Sequence, residues 1–301
     1  MDSFIIKGGS PLNGSINISG SKNAALPLMA AAMLAEGKTV IRNIPRLQDI
    51  YTFNNVLRVT GAQVDFDDTH NTLHIDPSNV NFTEAPYDLV KKMRASFYML
   101  GALVGRHRQA KVSLPGGCAW GPRPVDLHLK GMEAMGIKIT LEEGYVLAEA
   151  EESLSGKEFT LNPSSVGATV NILLAGVLRA EEFTLRNAAI EPDVVQLCNV
   201  LSHMGANIEG IGTQTLTIRK ADKLVAKEIR NDPDRIEMGT YMIAAAMNPG
   251  SELEITGGNP DHLGSFLKEF EKTGALLDFN GPVVKVTAPD ELKPVSIETA
   301  I

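Results

Sequence analysis

The sequence predicts an α/β fold assembled from duplicated modules, and three observations carry that prediction. A glycine recurs at Gly61, Gly136, Gly205 and Gly274, a spacing of roughly 70 residues that marks internal repeats. An aspartate (Asp49, Asp126, Asp193, Asp261) precedes each glycine by ten to thirteen residues. Ahead of each aspartate stands an alternating strand, and ahead of each strand a run of small apolar residues.

The first copy reads as an apolar helix Ala24–Ala35, a strand Thr39–Arg42, a helix from Asp49 to Gly61, and paired strands Gln63–Phe66 and Thr72–Ile75. The second has Ala95–Gly105, Lys111–Leu114 and a helix from Asp126 to Gly136. The third has Gly167–Leu178, Phe183–Arg186, a helix from Asp193 to Gly205, and strands Asn207–Glu209 and Thr215–Ile218. The fourth has Gly239–Met247, Glu252–Ile255 and a helix from Asp261 to Gly274. Glycine closes each second helix because it takes a left-handed conformation at little steric cost. Each aspartate is expected to cap the N–H groups of the helix it opens. The first helix of every copy is apolar nearly all round, so it is expected to be enclosed by sheet. The unit is helix, strand, helix, strand, strand, and fold alone says nothing about function.

Composition narrows the class. The 301 residues are 44% hydrophobic and 21% charged, with net charge −8, as in ordinary globular domains. No Lys/Arg-rich block stands out, which argues against nucleic acid as a partner. Residues 1–7 lack a basic region followed by an apolar core, so no secretion signal is expected. The longest mostly apolar run, Ala24–Ala35, is too short to span a bilayer. Cys118 and Cys198 sit in different contexts and imply no disulfide framework. A soluble, cytoplasmic protein without a metal or cofactor is the expectation.

Departures from the repeat point to chemistry. Between strand and aspartate the second copy is extended to Pro115-Gly116-Gly117-Cys118-Ala119-Trp120-Gly121-Pro122-Arg123-Pro124-Val125-Asp126. Three glycines lead us to expect a mobile loop, and it carries a Cys, the only Trp and an Arg. It reads either as a site loop or as a surface loop with a semi-buried Cys. Asp126 reads as a helix cap, with ligand contact as a possible second role. Cys198 falls on a helical apolar pattern and reads as core. Ser19-Gly20-Ser21-Lys22-Asn23-Ala24-Ala25 puts a lysine at the positive end of an apolar helix, where an anionic ligand would relieve the mismatch; an exposed turn lysine is the alternative. Pro163-Ser164-Ser165-Val166-Gly167 opens the third apolar helix, and its serines and N–H groups suit either a cap or a phosphate. Lys91-Lys92-Met93-Arg94-Ala95-Ser96 opens the second. Ser19-x-x-Lys22 and Lys272-Thr273-Gly274 spell pieces of the penicillin-recognising enzymes, but no Ser-x-Asn element stands between them and the Lys-Thr-Gly ends a helix.

With these residues set out, the sequence resembles the UDP-N-acetylglucosamine enolpyruvyl transferases, along its whole length. Ser21-Lys22-Asn23-Ala24-Ala25-Leu26-Pro27, Met93-Arg94-Ala95-Ser96, Pro115-Gly116-Gly117-Cys118, Arg123-Pro124-Val125-Asp126-Leu127-His128, Ser165-Val166-Gly167-Ala168-Thr169 and Pro233-Asp234-Arg235-Ile236-Glu237 carry the resemblance. The related shikimate-pathway transferase shares the fold but lacks the Cys loop. The resemblance implies an inside-out α/β barrel of repeated units, with four of six units present: residues 22–232 as one complete domain, and 1–21 with 233–301 as an incomplete second. Pro163 departs from a lysine often found beside the nucleotide. The family continues past Ser296–Ile301 with a catalytic Asp and further Arg residues, so the chain as written is expected to bind substrate without turning over. A non-catalytic nucleotide-sugar-binding fragment and a shikimate-type transferase are the other readings.

The resemblance further implies the chemistry. Phosphoenolpyruvate gives its enolpyruvyl group to the 3-hydroxyl of UDP-N-acetylglucosamine. Lys22, Arg94 and Arg123 are the implied cations for its phosphate and carboxylate. Asn23 is implied to orient the hydroxyl, and Cys118 to be the general acid. The nucleotide sugar is expected along Arg123, Pro124, Val125, Asp126 and Leu127, and along Ser164, Ser165, Val166 and Gly167.

Overall fold

The computed structural model describes residues 3, 5, 7–81, 83–85, 93–115 and 125–297, with Arg94 described by its backbone alone. The chain divides into two compact units, Ser21–Asp232 and Met1–Gly20 with Pro233–Ala300. The smaller contributes β1 (Asn13–Asn17) first. The larger then runs α1 (Lys22–Ala32), β2 (Ala35–Glu36), β3 (Thr39–Arg42), α2 (Gln48–Val59), β4 (Gln63–Asp67) and β5 (Thr72–Asp76). It continues with β6 (Glu84–Ala85), a 3-10 turn Arg94–Phe97, α3 (Tyr98–His107), β7 (Gln109–Ser113), α4 (Asp126–Met135), β8 (Lys138–Glu142) and β9 (Tyr145–Glu149). It ends with β10 (Glu158–Thr160), α5 (Val166–Gly176), β11 (Phe183–Arg186), α6 (Pro192–Met204), β12 (Asn207–Glu209), β13 (Thr215–Arg219), β14 (Leu224–Val225) and β15 (Glu228–Arg230). The smaller unit resumes with α7 (Arg235–Ala246), β16 (Glu252–Thr256), a 3-10 turn Pro260–Leu263, α8 (Ser265–Glu271), β17 (Leu276–Asn280) and β18 (Val283–Thr287).

Every copy builds a four-stranded sheet in one order: β15-β3-β5-β4, β6-β7-β9-β8 and β10-β11-β13-β12 in the larger unit, and β1-β16-β18-β17 in the smaller. In each, the first pair is parallel and the other two are antiparallel. The first strand of each order is one the sequence reading does not contain. These edge strands are short, two to five residues, and carry too little alternation to register as strands. Ion pairs across the parallel joins, Arg42 with Glu228 and Arg186 with Glu158, lie on the exposed face.

In the larger unit the first helix of each copy lies inside and the sheets outside, which is the inside-out arrangement of an α/β barrel. Residues Ala24–Ala32 of α1, Met99–Gly105 of α3 and Ala168–Gly176 of α5 are all buried. Helices so enclosed approach through glycine. A Cβ on Gly101 would fall on the carbonyl of Asn171, and one on Gly105 on that of Leu174, so α3 and α5 touch backbone to backbone. Half-buried arginines complete the carbonyl ends of these helices: Arg106 donates to Met33 O (2.9 Å) and Ala35 O (3.2 Å), and Arg179 to Gly105 O and Arg106 O (both 2.9 Å).

Four expectations are corrected in detail. The repeated aspartates are not caps: Leu47, Val125 and Glu191 hold the N-cap positions of α2, α4 and α6, without side-chain bonds, and Asp49, Asp126 and Asp193 fall in the first turn. A first-turn carboxylate still complements the helix dipole, so the charge signal is real and its address is one or two residues late. Asn259, not Asp261, caps the fourth copy, accepting from Asp261 N. The second apolar helix starts at Tyr98 instead of Ala95, after the 3-10 turn. The fourth, α7, is covered on one side only: Met238, Met242, Ala245 and Ala246 are buried, whereas Ile236 (53%), Ile243 (42%) and Met247 (63%) are exposed. The glycine reading holds, with φ of 101°, 108°, 118° and 89° at Gly61, Gly136, Gly205 and Gly274.

The α3–α5 contact predicts that Gly101→Ala destabilises the protein by about 1–3 kcal/mol, the usual cost of overpacking; urea unfolding reads it, and an unchanged midpoint would contradict the contact. Cys198 is buried in α6, and burial pushes its thiol up to about 12. Iodoacetamide at pH 8 is therefore expected to leave Cys198 unmodified in the native protein and to modify it after denaturation, as peptide mass mapping would record.

Candidate functional site

The larger unit holds a cleft of about 260 Å³ lined by Lys22, Asn23, Leu26, Asp49, Met93, Ala95, Tyr98, His128, Val166 and Gly167. Lys22, Asn23 and Leu26 lie at the start of α1, Asp49 in the first turn of α2, and Tyr98 opens α3; His128 lies in the first turn of α4, while Val166 and Gly167 open α5. Helix N-termini carry unused N–H groups and the positive end of the dipole, so this convergence favours an anionic ligand. A larger cleft of about 410 Å³, among His107, Arg108, Gln109, Gly136, Lys138, Glu149, Ala150 and Glu151, lies at the carbonyl ends of α3 and α4. Those ends repel anions, and size does not outweigh that.

Local chemistry fixes the start of α1. Ser21 Oγ accepts from Ala24 N (3.1 Å) as a cap and donates to the buried Asp193 Oδ1 (3.0 Å). Ser21 N donates to Asp232 O (2.7 Å), and Asn231 Nδ2 to Ser21 O (2.9 Å). These bonds tie Ser21 to the larger unit. Pro27 brings no N–H to the helical ladder, so the Asn23 carbonyl at the cleft is spared its usual partner within the helix. At α5, Ser165 Oγ accepts from Ala168 N (3.3 Å), so its cap role is realised; its hydroxyl hydrogen is still able to donate.

Lys22 does not stand alone at its helix end. Its Nζ pairs with Asp49 Oδ2 at 2.9 Å, with the side chains 36% and 37% exposed. A pair this exposed is worth at most about 1 kcal/mol, so an incoming phosphate or carboxylate can displace Asp49 at small cost. Asp49, expected from the sequence only as a cap, is thus a cleft residue and the partner of Lys22. Its pairing with Lys22 is made only by the fold, as is that of Asp193, at the same place in another copy, with Ser21.

Of the residues singled out from the sequence, Lys22, Asn23, Val166 and Gly167 line the cleft. Ser164 and Ser165 precede them, half-buried, without lining it. Val125 is buried and Leu127 half-buried; Asp126 is exposed and pairs with Lys130 at 3.2 Å. None of these three lines the cleft, whereas the next residue, His128, does. Cys118, Arg123 and Pro124, with the rest of 116–124, lie outside the described residues, as do Lys91 and Lys92; Arg94 is placed by its backbone only, between the cleft residues Met93 and Ala95. Among the described residues no group of His, Cys, Asp and Glu could hold a metal ion, and no helix is long and apolar enough to cross a membrane.

The family model for EPSP synthase (3-phosphoshikimate 1-carboxyvinyltransferase) matches residues 6–301. The UDP-N-acetylglucosamine 1-carboxyvinyltransferase of Chloroherpeton thalassium is 48% identical over 300 residues, covering 99% of this chain and 69% of its own. The protein of that name from Desulfosudis oleivorans is 45% identical, covering 99% of this chain and 71% of its own. Among solved structures, the enolpyruvyl transferase NikO from Streptomyces tendae superposes with a TM-score of 0.84 at 27% identity, over 95% of this chain and 68% of its own. EPSP synthase from Acinetobacter baumannii superposes with a TM-score of 0.75 at 17% identity, over 98% of this chain and 68% of its own, a likeness of fold alone. A match across almost the entire chain, at close to half identity with relatives of which it spans more than two thirds, places the protein in the EPSP synthase family of enolpyruvyl transferases.

Proposed function

We propose that the protein transfers the enolpyruvyl group of phosphoenolpyruvate to the 3-hydroxyl of UDP-N-acetylglucosamine. The observation that carries this reading is the cleft where the first turns of five helices, α1 to α5, meet around Lys22 and Asn23. Both substrates are polyanions, and such a site suits them. The relatives named for this reaction share close to half of the sequence. The Cys loop separates this reading from a shikimate-type transferase.

In this reading Lys22, Arg94 and Arg123 hold the phosphate and carboxylate of phosphoenolpyruvate. Asn23 orients the sugar hydroxyl. The hydroxyl releases its proton to solvent as its oxygen attacks C2, while the Cys118 thiol gives its proton to C3, forming a tetrahedral adduct. Phosphate then leaves with the C2–O electrons, and loss of a proton from C3 restores the double bond. Preorganised charge supplies the main catalytic term. The nucleotide and sugar lie along Arg123–Leu127 and Ser164–Gly167. The unit Ser21–Asp232 holds the site. A cytoplasmic enzyme opening peptidoglycan synthesis, and so serving cell shape and division, is the corresponding role.

Calorimetric titration tests the substrate assignment directly. Saturable binding of UDP-N-acetylglucosamine is expected, with none of shikimate 3-phosphate. Lys22→Ala is expected to weaken phosphoenolpyruvate binding to the nucleotide-sugar complex by about tenfold or more, the loss of a charge-assisted bond. Binding of shikimate 3-phosphate in place of the nucleotide sugar would contradict the reading.

A further inference from the structure

α5 is apolar through its buried length except for Thr169 and Asn171. Asn171 is fully buried, and a buried carboxamide must find partners. One partner leaves no choice of orientation: the backbone N–H of Gly101, on α3, points at Asn171 Oδ1 at 2.9 Å. A backbone N–H only donates, so this atom is the amide oxygen. The Asn171 NH2 then faces His128 Nδ1, on α4, at 2.8 Å. An NH2 only donates, so Nδ1 accepts, and a neutral ring whose Nδ1 accepts carries its proton on Nε2. One backbone amide thereby sets the tautomer of a histidine two bonds away.

The rest of the ring is gripped as closely. His128 is 3% exposed, and its Nε2 is sealed from solvent. A Cβ on Gly167 would lie 2.9 Å from its Cε1 and 3.1 Å from its Nε2, so the ring edge rests on the backbone that opens α5. Phe97, just before α3, meets it edge to face with centroids 5.4 Å apart. His128 thus links the first turn of α4 to α5 and to the approach of α3, at the wall of the cleft that also holds Lys22 and Asn23.

We infer that His128 is a positioning residue: held by Asn171 as the neutral Nε2–H tautomer, it fixes the opening turns of α4 and α5 in the spacing that a nucleotide sugar requires. The inference rests on the substrate reading above. The segments it sets, Val125–Leu127 before it and Ser164–Gly167 against it, are the two that reading assigns to the nucleotide sugar. Glycine at Gly167 follows from the same contact, since any side chain there would displace the ring.

Two measurements test it on the full chain. Long-range proton–nitrogen NMR of the unmodified protein at neutral pH reads the His128 tautomer without any substrate. The neutral Nε2–H form is expected; an Nδ1–H or doubly protonated ring would overturn the inference. Titration with UDP-N-acetylglucosamine then compares His128→Leu, which fills the space without an acceptor, with His128→Asn, whose Oδ1 replaces Nδ1 as acceptor. Affinity is expected to fall about tenfold in the leucine variant, the worth of one lost hydrogen bond, and to recover most of that in the asparagine variant. Equal affinities in both variants, whether unchanged or equally weak, would overturn the positioning role. Should the leucine variant fail to fold, asparagine against the unmodified protein decides: a tenfold loss there contradicts it. Absence of nucleotide-sugar binding by the unmodified protein would refute the substrate reading instead, with the tautomer spectrum still standing as a test of the bond.

Discussion

The close crossing of α3 and α5 is the constraint on which the larger unit depends. Gly101 and Gly105 carry no side chain to hold the helices apart, so α3 rests on the backbone of α5. At that distance a polar side chain on one helix can reach the backbone of the other, and Asn171 does so through Gly101 N–H. The sheets then wrap the helices from outside, their alternating strands turning one apolar face inward. Because β15 returns to pair with β3, the end of the larger unit closes on the sheet of its first copy.

Burying whole helices leaves their ends as the polar places of the interior. At the carbonyl ends the fold supplies its own cations, Arg106 and Arg179, and burial holds both guanidinium groups below their ordinary pKa range. At the amide ends it supplies serine caps at Ser21 and Ser165, and Lys22, which is paired with Asp49 across an exposed contact. Carbonyl ends are closed by arginines tied into several bonds, whereas the amide ends open on a cleft whose lysine is held by a replaceable partner.

The repeat, the glycine helix ends and the buried character of the inner helices were legible because each is written in local periodicity. Edge strands such as β6, with two residues, were not, since pairing with β7 and not local pattern makes them strands. The aspartates were read as caps because a cap and a first-turn carboxylate leave nearly the same trace in sequence. Lys22 was legible as a cleft residue because a cation at the positive end of an apolar helix is anomalous, whereas Asn23, Val166 and Gly167, which also line the cleft, came from the resemblance. Asp49 and His128 were not legible: each depends on a partner far away in the chain, Lys22 for one and Asn171 for the other. Asn171 was the available clue, a polar residue inside an apolar helix.

The central claim is that the opening turns of the inner helices form one anion-binding site. Backbone amide NMR during titration of the protein with UDP-N-acetylglucosamine tests it most directly. The account predicts shifts concentrated at Lys22–Leu26, Asp126–His128 and Val166–Ala168, with the carbonyl-end cleft around Arg108 and Glu149 unmoved. Shifts confined to that second cleft, with the helix openings silent, would contradict it.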